Sequence, residues 1–191
     1  MYKIIYRFNQ LLFILYYKSI VKNLHVGKGI VINYWPSIVL HKNAKITLGE
    51  NVLLNSSNRS YHVNMFSRVK LMCDKPHSII RIGNNTRIHG SCIHAHERIE
   101  IGDNCLIAAN CQIIDSNGHG TNLSDRINSQ GITRPVIIGD NVWIGTGCII
   151  LPGTKIGDGV VVSAGSVIKG EIPEHTVYGG NPAKFIKQIN L

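Results

Sequence analysis

Residues 138–168 read IGDNVW, IGTGCI, ILPGTK, IGDGVV and VSAGSV, followed by Ile168. Each step of six begins with isoleucine or valine, at Ile138, Ile144, Ile150, Ile156, Val162 and Ile168. A period of six fits neither the 3.6-residue period of a helix nor the two-residue period of an ordinary strand. It predicts a coil of three short strands per turn, in which residues eighteen positions apart stack as parallel strands. The predicted stacks are Ile138 with Ile156, Ile144 with Val162, and Ile150 with Ile168.

The fifth residue of each step is small or β-branched. These residues are Val142, Cys148, Thr154, Val160 and Ser166. We expect the first and fifth positions to point inward and fill the coil, while glycine and asparagine form corners that need positive φ. The same phase recurs upstream, in steps that begin at Val26, Leu40, Leu48, Ile82, Ile88, Ile101 and Ile107. The sequence therefore predicts an all-β chain of about ten repeats wound into a parallel β-helix.

Composition indicates one globular domain with an anionic partner. The chain has 191 residues and a net charge of +9 with neutral histidines. Because basic residues form no long run and aromatic residues are few, a phosphorylated cofactor or a membrane is favoured over nucleic acid. Four cysteines fall on the inward fifth position and are interpreted as small hydrophobic residues; they are Cys92, Cys105, Cys111 and Cys148. The absence of a CxxC pair favours reduced thiols in a cytoplasmic protein.

Residues 1–24 lack the repeat and contain neither glycine nor proline. We predict an N-terminal helix over 1–24 and a β-helix domain over 25–191. The longest apolar run is too short to span a bilayer, which takes about 20 residues, and a signal peptide is not expected. Two roles stay open for this helix. It could cover the open end of the coil, or lie on an anionic membrane surface through Lys3, Arg7, Lys18 and Lys22.

The repeat breaks twice, and both breaks are predicted to leave the coil as loops. The first covers residues 55–78 and the second covers about 115–135. Function in a repeat protein tends to lie where such insertions leave the stack. Residues with polar or aromatic side chains in or near the breaks are candidates for contacting a substrate. They are Tyr61, His62, His89 and His94.

A histidine with no evident packing role, His119, stands between two glycines in the second break. An imidazole with an ordinary pKa of about 6.5 can take a proton from a hydroxyl near neutral pH, so we predict that it is a general base. His94 and His96 are one residue apart and could both face a metal ion. Because no carboxylate or thiol stands at a firm spacing from this pair, we predict no metal site and favour contact with the acceptor.

Several segments resemble the left-handed β-helix acyltransferases, most closely the maltose and galactoside O-acetyltransferase type, which includes enzymes of polysaccharide biosynthesis. The matching segments are the hexapeptide ladder, Asp115-x-Asn117-x-His119, the steps at 142–145 and 163–168, and the ending at 180–184. The resemblance extends over residues 26–189. It implies a left-handed coil, a homotrimer with active sites between subunits, and acetyl-CoA as the donor.

The resemblance also implies catalytic roles for residues of the second break. His119 matches the family's general base. Asp115 could orient its imidazole, although a backbone carbonyl could do so equally well. Asn117 stands where many relatives carry a second aspartate, so a carboxylate has no assigned role at that position.

On the donor side, the resemblance implies contacts with the cofactor. Trp143 matches an aromatic residue beside the active cleft. Thr146 matches the position whose backbone amide steadies the oxyanion, and Ala164 matches a contact to the pantetheine arm. Basic residues are expected near the nucleotide phosphates, and these are Lys169, Lys184 and Lys187.

Together these features predict an acetyl-CoA-dependent O-acetyltransferase that modifies a sugar hydroxyl in surface glycan biosynthesis and requires no metal. The chain would work in the cytoplasm, at the inner face of the membrane if its N-terminal helix binds lipid. Three alternatives stay open. They are an N-acyltransferase acting on an amino sugar, a metalloprotein like the γ-type carbonic anhydrases, and a scaffold without catalytic activity.

Overall fold

The computed structural model describes residues 11–17, 21–59, 61–124, 126–129 and 131–190. Within these residues the chain forms one short helix (α1, residues 11–17) and 21 strands. In chain order the strands are β1 (Leu24–Val26), β2 (Val31–Asn33), β3 (Ser37–Leu40), β4 (Lys45–Leu48), β5 (Leu53–Asn55), β6 (Lys70–Cys73), β7 (Ile79–Ile82), β8 (Arg87–His89), β9 (Cys92–His94), β10 (Arg98–Ile101), β11 (Leu106–Ile107), β12 (Gln112–Ile114), β13 (Val136–Ile138), β14 (Trp143–Ile144), β15 (Ile149–Ile150), β16 (Lys155–Ile156), β17 (Val161–Val162), β18 (Val167–Ile168), β19 (Glu171–Ile172), β20 (Thr176–Gly180) and β21 (Ala183–Gln188).

Successive strands go to three different sheets, so the described chain winds as a three-sided parallel β-helix. The first face contains β1, β4, β7, β10, β13, β16 and β19. The second face contains β2, β5, β8, β11, β14, β17, β20 and β21, and the third contains β3, β6, β9, β12, β15 and β18. The last strand, β21, departs from the rule because it pairs antiparallel with β20 and extends the second face.

The predicted stacking is confirmed. Ile138 pairs with Ile156, Ile144 with Val162, and Ile150 with Ile168. All six side chains are buried, as are the small residues at the fifth position. Each buried aliphatic side chain contributes about 1.5–3 kcal/mol relative to an exposed one. The apolar column therefore supplies the main stabilisation of the coil.

The corners also follow the prediction that asparagine and glycine supply positive φ. Asn51, Asn85 and Asn104 stack at the corner between the first and second faces, with φ of 56°, 55° and 56°. The Asn51 side-chain amide donates to Asn85 Oδ1 at 3.1 Å, and the Asn85 amide donates to Asn104 Oδ1 at 3.2 Å. These asparagines hold successive coils in register as well as forming the turn.

One part of the cysteine prediction was wrong. Cys92 does not take the inward position, because Ser91 does, with 0% of its surface exposed. The step from Ile88 to Ile93 is one residue short, which shifts the phase by one. Cys92 instead pairs with the exposed Gln112 on the outer surface. All five cysteines of the described chain are free thiols.

The first excursion is shorter than predicted. Asn55 is the last residue of β5, and β6 is a regular strand that pairs with β3 and β9. The excursion therefore covers residues 56–69, between the second and third faces. The second excursion separates β12 from β13 and occupies residues 115–135 between the third and first faces.

At the N-terminus, the described helix packs on the end of the first coil. Phe13 is fully buried and lies edge-on to Trp35, with ring centroids 5.8 Å apart. Through this contact the helix covers the end of the coil, which is the capping role considered for it. Residues 1–10 and 18–20, which include Lys3, Arg7 and Lys18, lie outside the described residues, and Leu24 already belongs to β1. Membrane contact stays a prediction; no helix among the described residues has the length and apolarity needed to cross a bilayer.

Candidate active site

A cavity of about 660 Å³ lies on the second face. Its floor is the outer surface of β8, β11, β14 and β17, and the first excursion forms one wall. Six of the predicted site residues line it. They are Tyr61, His62, His89, Trp143, Thr146 and Ala164. The structure thus brings together residues expected on the donor side and residues expected on the acceptor side.

The first excursion, residues 56–69, is held against the coil by asparagine side chains. Asn58 Oδ1 accepts the Met65 amide at 2.6 Å, and Asn110 Oδ1 accepts the Phe66 amide at 2.9 Å. Met65 packs directly over Gly90, where a Cβ atom would lie 2.7 Å from the methionine side chain. Only glycine fits this close approach. The excursion is therefore a fixed wall that carries Tyr61 and His62 into the cavity.

His89 is held in the cavity by a ring contact and a side-chain hydrogen bond. The Tyr61 ring stacks on it, with centroids 4.3 Å apart and planes 16° apart. Burial, together with repulsion from Arg87 and His62, lowers the pKa of His89 to about 4. The side chain is therefore neutral at pH 7.

A hydrogen bond with Asn55 indicates which tautomer His89 adopts. Asn55 Nδ2 lies 3.2 Å from His89 Nδ1, while Asn55 Oδ1 accepts the Ser57 amide at 3.1 Å. Since the amide nitrogen can only donate, Nδ1 accepts this bond and the ring proton lies on Nε2. His89 therefore carries one N–H donor in a mostly apolar cavity. Sequence reasoning did not single out Asn55, although its place at a strand end one coil below His89 was a usable signal.

The outward residues of the second face form a continuous column. Leu106 pairs with Trp143, which is 51% exposed, and Trp143 pairs with Val161. Val161 then pairs with Val177, and Val177 pairs with Lys187 on β21. The Thr146 hydroxyl beside this column donates to the Ala109 carbonyl at 2.7 Å. An extended molecule lying along the column would pass from the cavity to a basic end.

The three predicted phosphate-binding lysines do not form one cluster within a single chain. Lys184 and Lys187 are exposed on β21, at the end of the second face. Lys169 is also exposed but follows β18 on the third face. The two β21 lysines are therefore the ones aligned with the cavity.

His119 is exposed in the second excursion and does not line the cavity. Near it, Asn117 is also exposed, and its backbone amide donates to the Ile132 carbonyl at 3.2 Å. Ser116 forms an antiparallel bridge with Thr133. The base of the excursion is thus a short paired segment that projects His119 from the corner between the third and first faces.

The surroundings of Asp115 give it a structural role, and its predicted orientation of His119 stays a prediction. Its side chain is fully buried, and its two carboxylate oxygens accept the backbone amides of His96, Glu97 and Arg98 at 2.7, 2.8 and 2.7 Å. A carboxylate occupied by three backbone donors organises the adjacent corner. Asp115 is therefore a structural residue that fixes where the excursion begins.

His94 was predicted to contact the acceptor; it lies on the third face, outside the cavity. Its Nε2 atom is 2.9 Å from Asp74 Oδ1, and His96 Nε2 is 3.7 Å from the same oxygen. Sequence reasoning missed Asp74, which follows β6 one coil below the histidines. The alternation of Met72 and Asp74 on the outer surface of the third face could have indicated it.

Two family models match the repeats described above. The model described as bacterial transferase hexapeptide (six repeats) matches residues 135–170, and the model described as hexapeptide repeat of succinyl-transferase matches residues 79–115. The chain is also 35% identical over 162 residues to WbbJ of Escherichia coli K12, a protein whose name assigns it to lipopolysaccharide biosynthesis as an O-acetyl transferase. That match covers 80% of this chain and 83% of WbbJ.

Two solved structures share the architecture. The acetyltransferase VCA0836 of Vibrio cholerae, complexed with acetyl coenzyme A, is 32% identical with a TM-score of 0.58. The match covers 63% of this chain and 65% of that one, a little under two thirds. A maltose O-acetyltransferase of Clostridium difficile is 29% identical with a TM-score of 0.52, over 89% of this chain and 72% of that one.

Together with the two family-model matches, the three-sided coil and its cavity identify a hexapeptide-repeat transferase. The similarity to WbbJ extends over most of both chains. The chain therefore belongs to the hexapeptide-repeat acetyltransferase family. Its coil is accordingly a left-handed parallel β-helix, as the sequence resemblance implied.

Proposed function

We propose that this protein transfers the acetyl group of acetyl-CoA to a sugar hydroxyl in surface glycan biosynthesis. The observation that carries the proposal is the single cavity that joins Trp143, Thr146 and Ala164 to Tyr61, His62 and His89. A transferase needs donor and acceptor in one water-restricted space, with the reacting atoms in contact. The names of WbbJ and the Clostridium difficile enzyme, and the acetyl coenzyme A in the Vibrio cholerae structure, support this choice of substrates.

In the proposed complex, acetyl-CoA lies along the outward column of the second face. The apolar Trp143 and Val161 would contact the pantetheine arm, and Lys184 and Lys187 would lie near the phosphates. The net charge of +9 favours the approach of a cofactor that carries several negative charges. This arrangement leaves the thioester at the end of the cavity next to the first excursion.

The acceptor would occupy that end of the cavity. The exposed faces of Tyr61 and Trp143 offer flat apolar surfaces, and His89 Nε2–H offers a fixed donor for a sugar oxygen. A binding site with mostly apolar walls and a few fixed polar groups is typical of small-molecule recognition. The neutral imidazole of His89 does not add charge beside the reacting hydroxyl.

The proposed general base is His119, supplied by a neighbouring copy in a homotrimer. Within one chain this residue lies outside the cavity lining, so a second copy is needed to complete the site. The imidazole takes the proton of the acceptor hydroxyl while the oxygen attacks the thioester carbonyl. The carbon–sulfur bond then breaks, and the departing thiolate takes the proton back from the imidazolium. An oxyanion contact from the Thr146 amide would contribute about 3 kcal/mol.

The test is a thiol-release assay with acetyl-CoA and a panel of acceptors. The panel pairs sugars that offer only hydroxyls with matched sugars that carry one free amine. We expect thiol release with a hydroxyl sugar and an ester product that mild alkali cleaves. An alkali-stable amide formed only with amino sugars would replace the proposal with N-acyl transfer. Failure to bind CoA at all would indicate a scaffold.

A further inference from the structure

Three potential metal ligands meet on the third face, outside the cavity of the second face. They are Asp74, His94 and His96, and one ligand atom from each lies within 4.8 Å of the other two. Asp74 Oδ1 is the centre of the group, 2.9 Å from His94 Nε2 and 3.7 Å from His96 Nε2. The two imidazole rings are 4.7 Å apart and nearly perpendicular, at 78°.

The fold places these side chains together without help from the excursions. Met72 on β6 pairs with His94 on β9, so the positions two residues further on, Asp74 and His96, are also adjacent. Residues two apart on an extended strand face the same side. Asp115 fixes the backbone at His96 by accepting its amide at 2.7 Å. The backbone that carries the three groups is therefore preorganised.

The donor set matches a divalent transition metal. A tetrahedral Zn²⁺ with bonds of about 2.0–2.1 Å holds its ligand atoms about 3.3 Å apart, so small side-chain rotations would close this group around an ion. Two imidazoles and one carboxylate are a common set for zinc, with a water molecule at the fourth position. Mg²⁺ and Ca²⁺ prefer oxygen ligands and fit less well.

We propose that Asp74, His94 and His96 form a Zn²⁺-binding site that fastens two adjacent coils at the corner below the second excursion. The side chains are 30%, 27% and 19% exposed, which leaves a path for the ion and room for a water ligand. The sequence predicted no metal site because no carboxylate stands at a firm spacing from His94 and His96. In the structure, Asp74 supplies this carboxylate from one coil below. The proposal does not depend on the proposed acetyl transfer, and it differs from a carbonic anhydrase site because all three ligands come from one chain.

The experiment measures Zn²⁺ binding to the full chain, purified without a histidine tag and stripped with EDTA, by isothermal titration calorimetry. We expect one strong site per chain. Asp74→Asn, His94→Ala and His96→Ala should each weaken binding at least tenfold. His41→Ala is the matched control, because His41 lies near the same corner, one coil below Asp74. His41 is not one of the three grouped ligands, and its Nδ1 accepts the Asn43 amide at 3.1 Å. This control should bind Zn²⁺ like the wild type.

A second measurement follows thermal unfolding, since a ligand that binds only the folded state raises the midpoint. Zn²⁺ should raise the midpoint of the wild type and of His41→Ala but not that of His94→Ala. The proposal is overturned if the wild type shows no strong site, or if His94→Ala and Asp74→Asn bind Zn²⁺ as tightly as His41→Ala. In that case Asp74 only makes ordinary polar contacts with His94 and His96.

Discussion

Tyr61 and His89 stack face to face, 4.3 Å between ring centroids, although one belongs to an excursion and the other to the coil. This contact joins the first excursion to the coil. Through it the first excursion packs against the coil and forms a wall of the cavity. The proposed acceptor end of the site depends on it.

Removal of the Tyr61 ring should therefore weaken acceptor binding. We expect Tyr61→Ala to raise the KM for the acceptor about tenfold, because an aromatic stack contributes about 0.5–1.5 kcal/mol and the wall also loses its shape. Tyr61→Phe keeps the ring and should stay close to wild type. Steady-state kinetics with varied acceptor provide the measurement. Equal losses in the two variants would instead assign the effect to the hydroxyl.

The low pKa of His89 predicts a pH dependence of stability. The imidazole has a pKa of about 6.5 in the unfolded chain and about 4 in the folded one. Between these values the unfolded state binds a proton that the folded state does not, so the free energy of unfolding falls as pH falls from 6.5 to 4. Above pH 6.5 this residue contributes no pH dependence.

We expect His89 to account for about 1 kcal/mol of that loss, less than the full shift because the side chain is partly exposed to solvent. Urea unfolding at pH 7, 5.5 and 4 measures it. The difference between wild type and His89→Asn isolates the one group, since all other titrating residues are shared. Parallel curves for the two proteins would contradict the shifted pKa.

The proposed base predicts a shared active site. His119→Ala should lower kcat at least a hundredfold while CoA binding and oligomeric state stay unchanged. His25→Ala, an exposed histidine on β1, is the matched control and should retain wild-type turnover.

A variant without the proposed base and a variant with a damaged donor site should then complement each other, and we expect Trp143→Ala to lose most of its activity with the pantetheine contact. If His119 of one subunit serves the cavity of its neighbour, mixed trimers of His119→Ala and Trp143→Ala chains contain some intact sites. Random mixing in equal amounts after refolding should restore about a quarter of wild-type activity. A mixture as inactive as its components would place both residues in one chain's site and remove the argument for the trimer.

The basic end of the outward column should bind the cofactor's phosphates. We expect Lys187→Ala to raise the KM for acetyl-CoA about threefold to tenfold, an effect that shrinks as salt screens the charge. Lys155→Ala removes a lysine from the first face, where it pairs with Glu171 at 2.9 Å, and serves as the control. A larger effect of Lys155→Ala would contradict the proposed path of the cofactor.

The role of Asp115 in the fold predicts a stability defect. Asp115→Asn keeps the shape of the side chain but replaces one acceptor oxygen with a donor that faces backbone amides. We expect a loss of about 2–3 kcal/mol in the free energy of unfolding, measured by urea denaturation. Asp140→Asn is the control, because exposed Asp140 accepts a single amide, that of Asp103, at 2.7 Å. If the two variants lose equal stability, the buried carboxylate has no special structural role.

Periodicity accounts for what could be predicted from the sequence. The stacks of Ile138 on Ile156 and Ile144 on Val162 follow from spacing alone, because a coil of fixed length repeats the same environment every eighteen residues. Where a step loses a residue, as between Ile88 and Ile93, the same reasoning misplaced Cys92. The spacing of five between Ile88 and Ile93 is the sign in the sequence that the inward position moves to Ser91.

By itself, then, the sequence determined the coil, its parallel register and the family to which it belongs, since these depend on local spacing and short motifs. The tertiary structure decided which side chains meet. It buried Asp115 under three amides, set Tyr61 on His89, and joined Asp74 to His94 and His96. Those contacts form between residues 17 to 28 positions apart, and they depend on how the excursions fold back and where each corner turns. No short window of sequence contains both partners of such a contact.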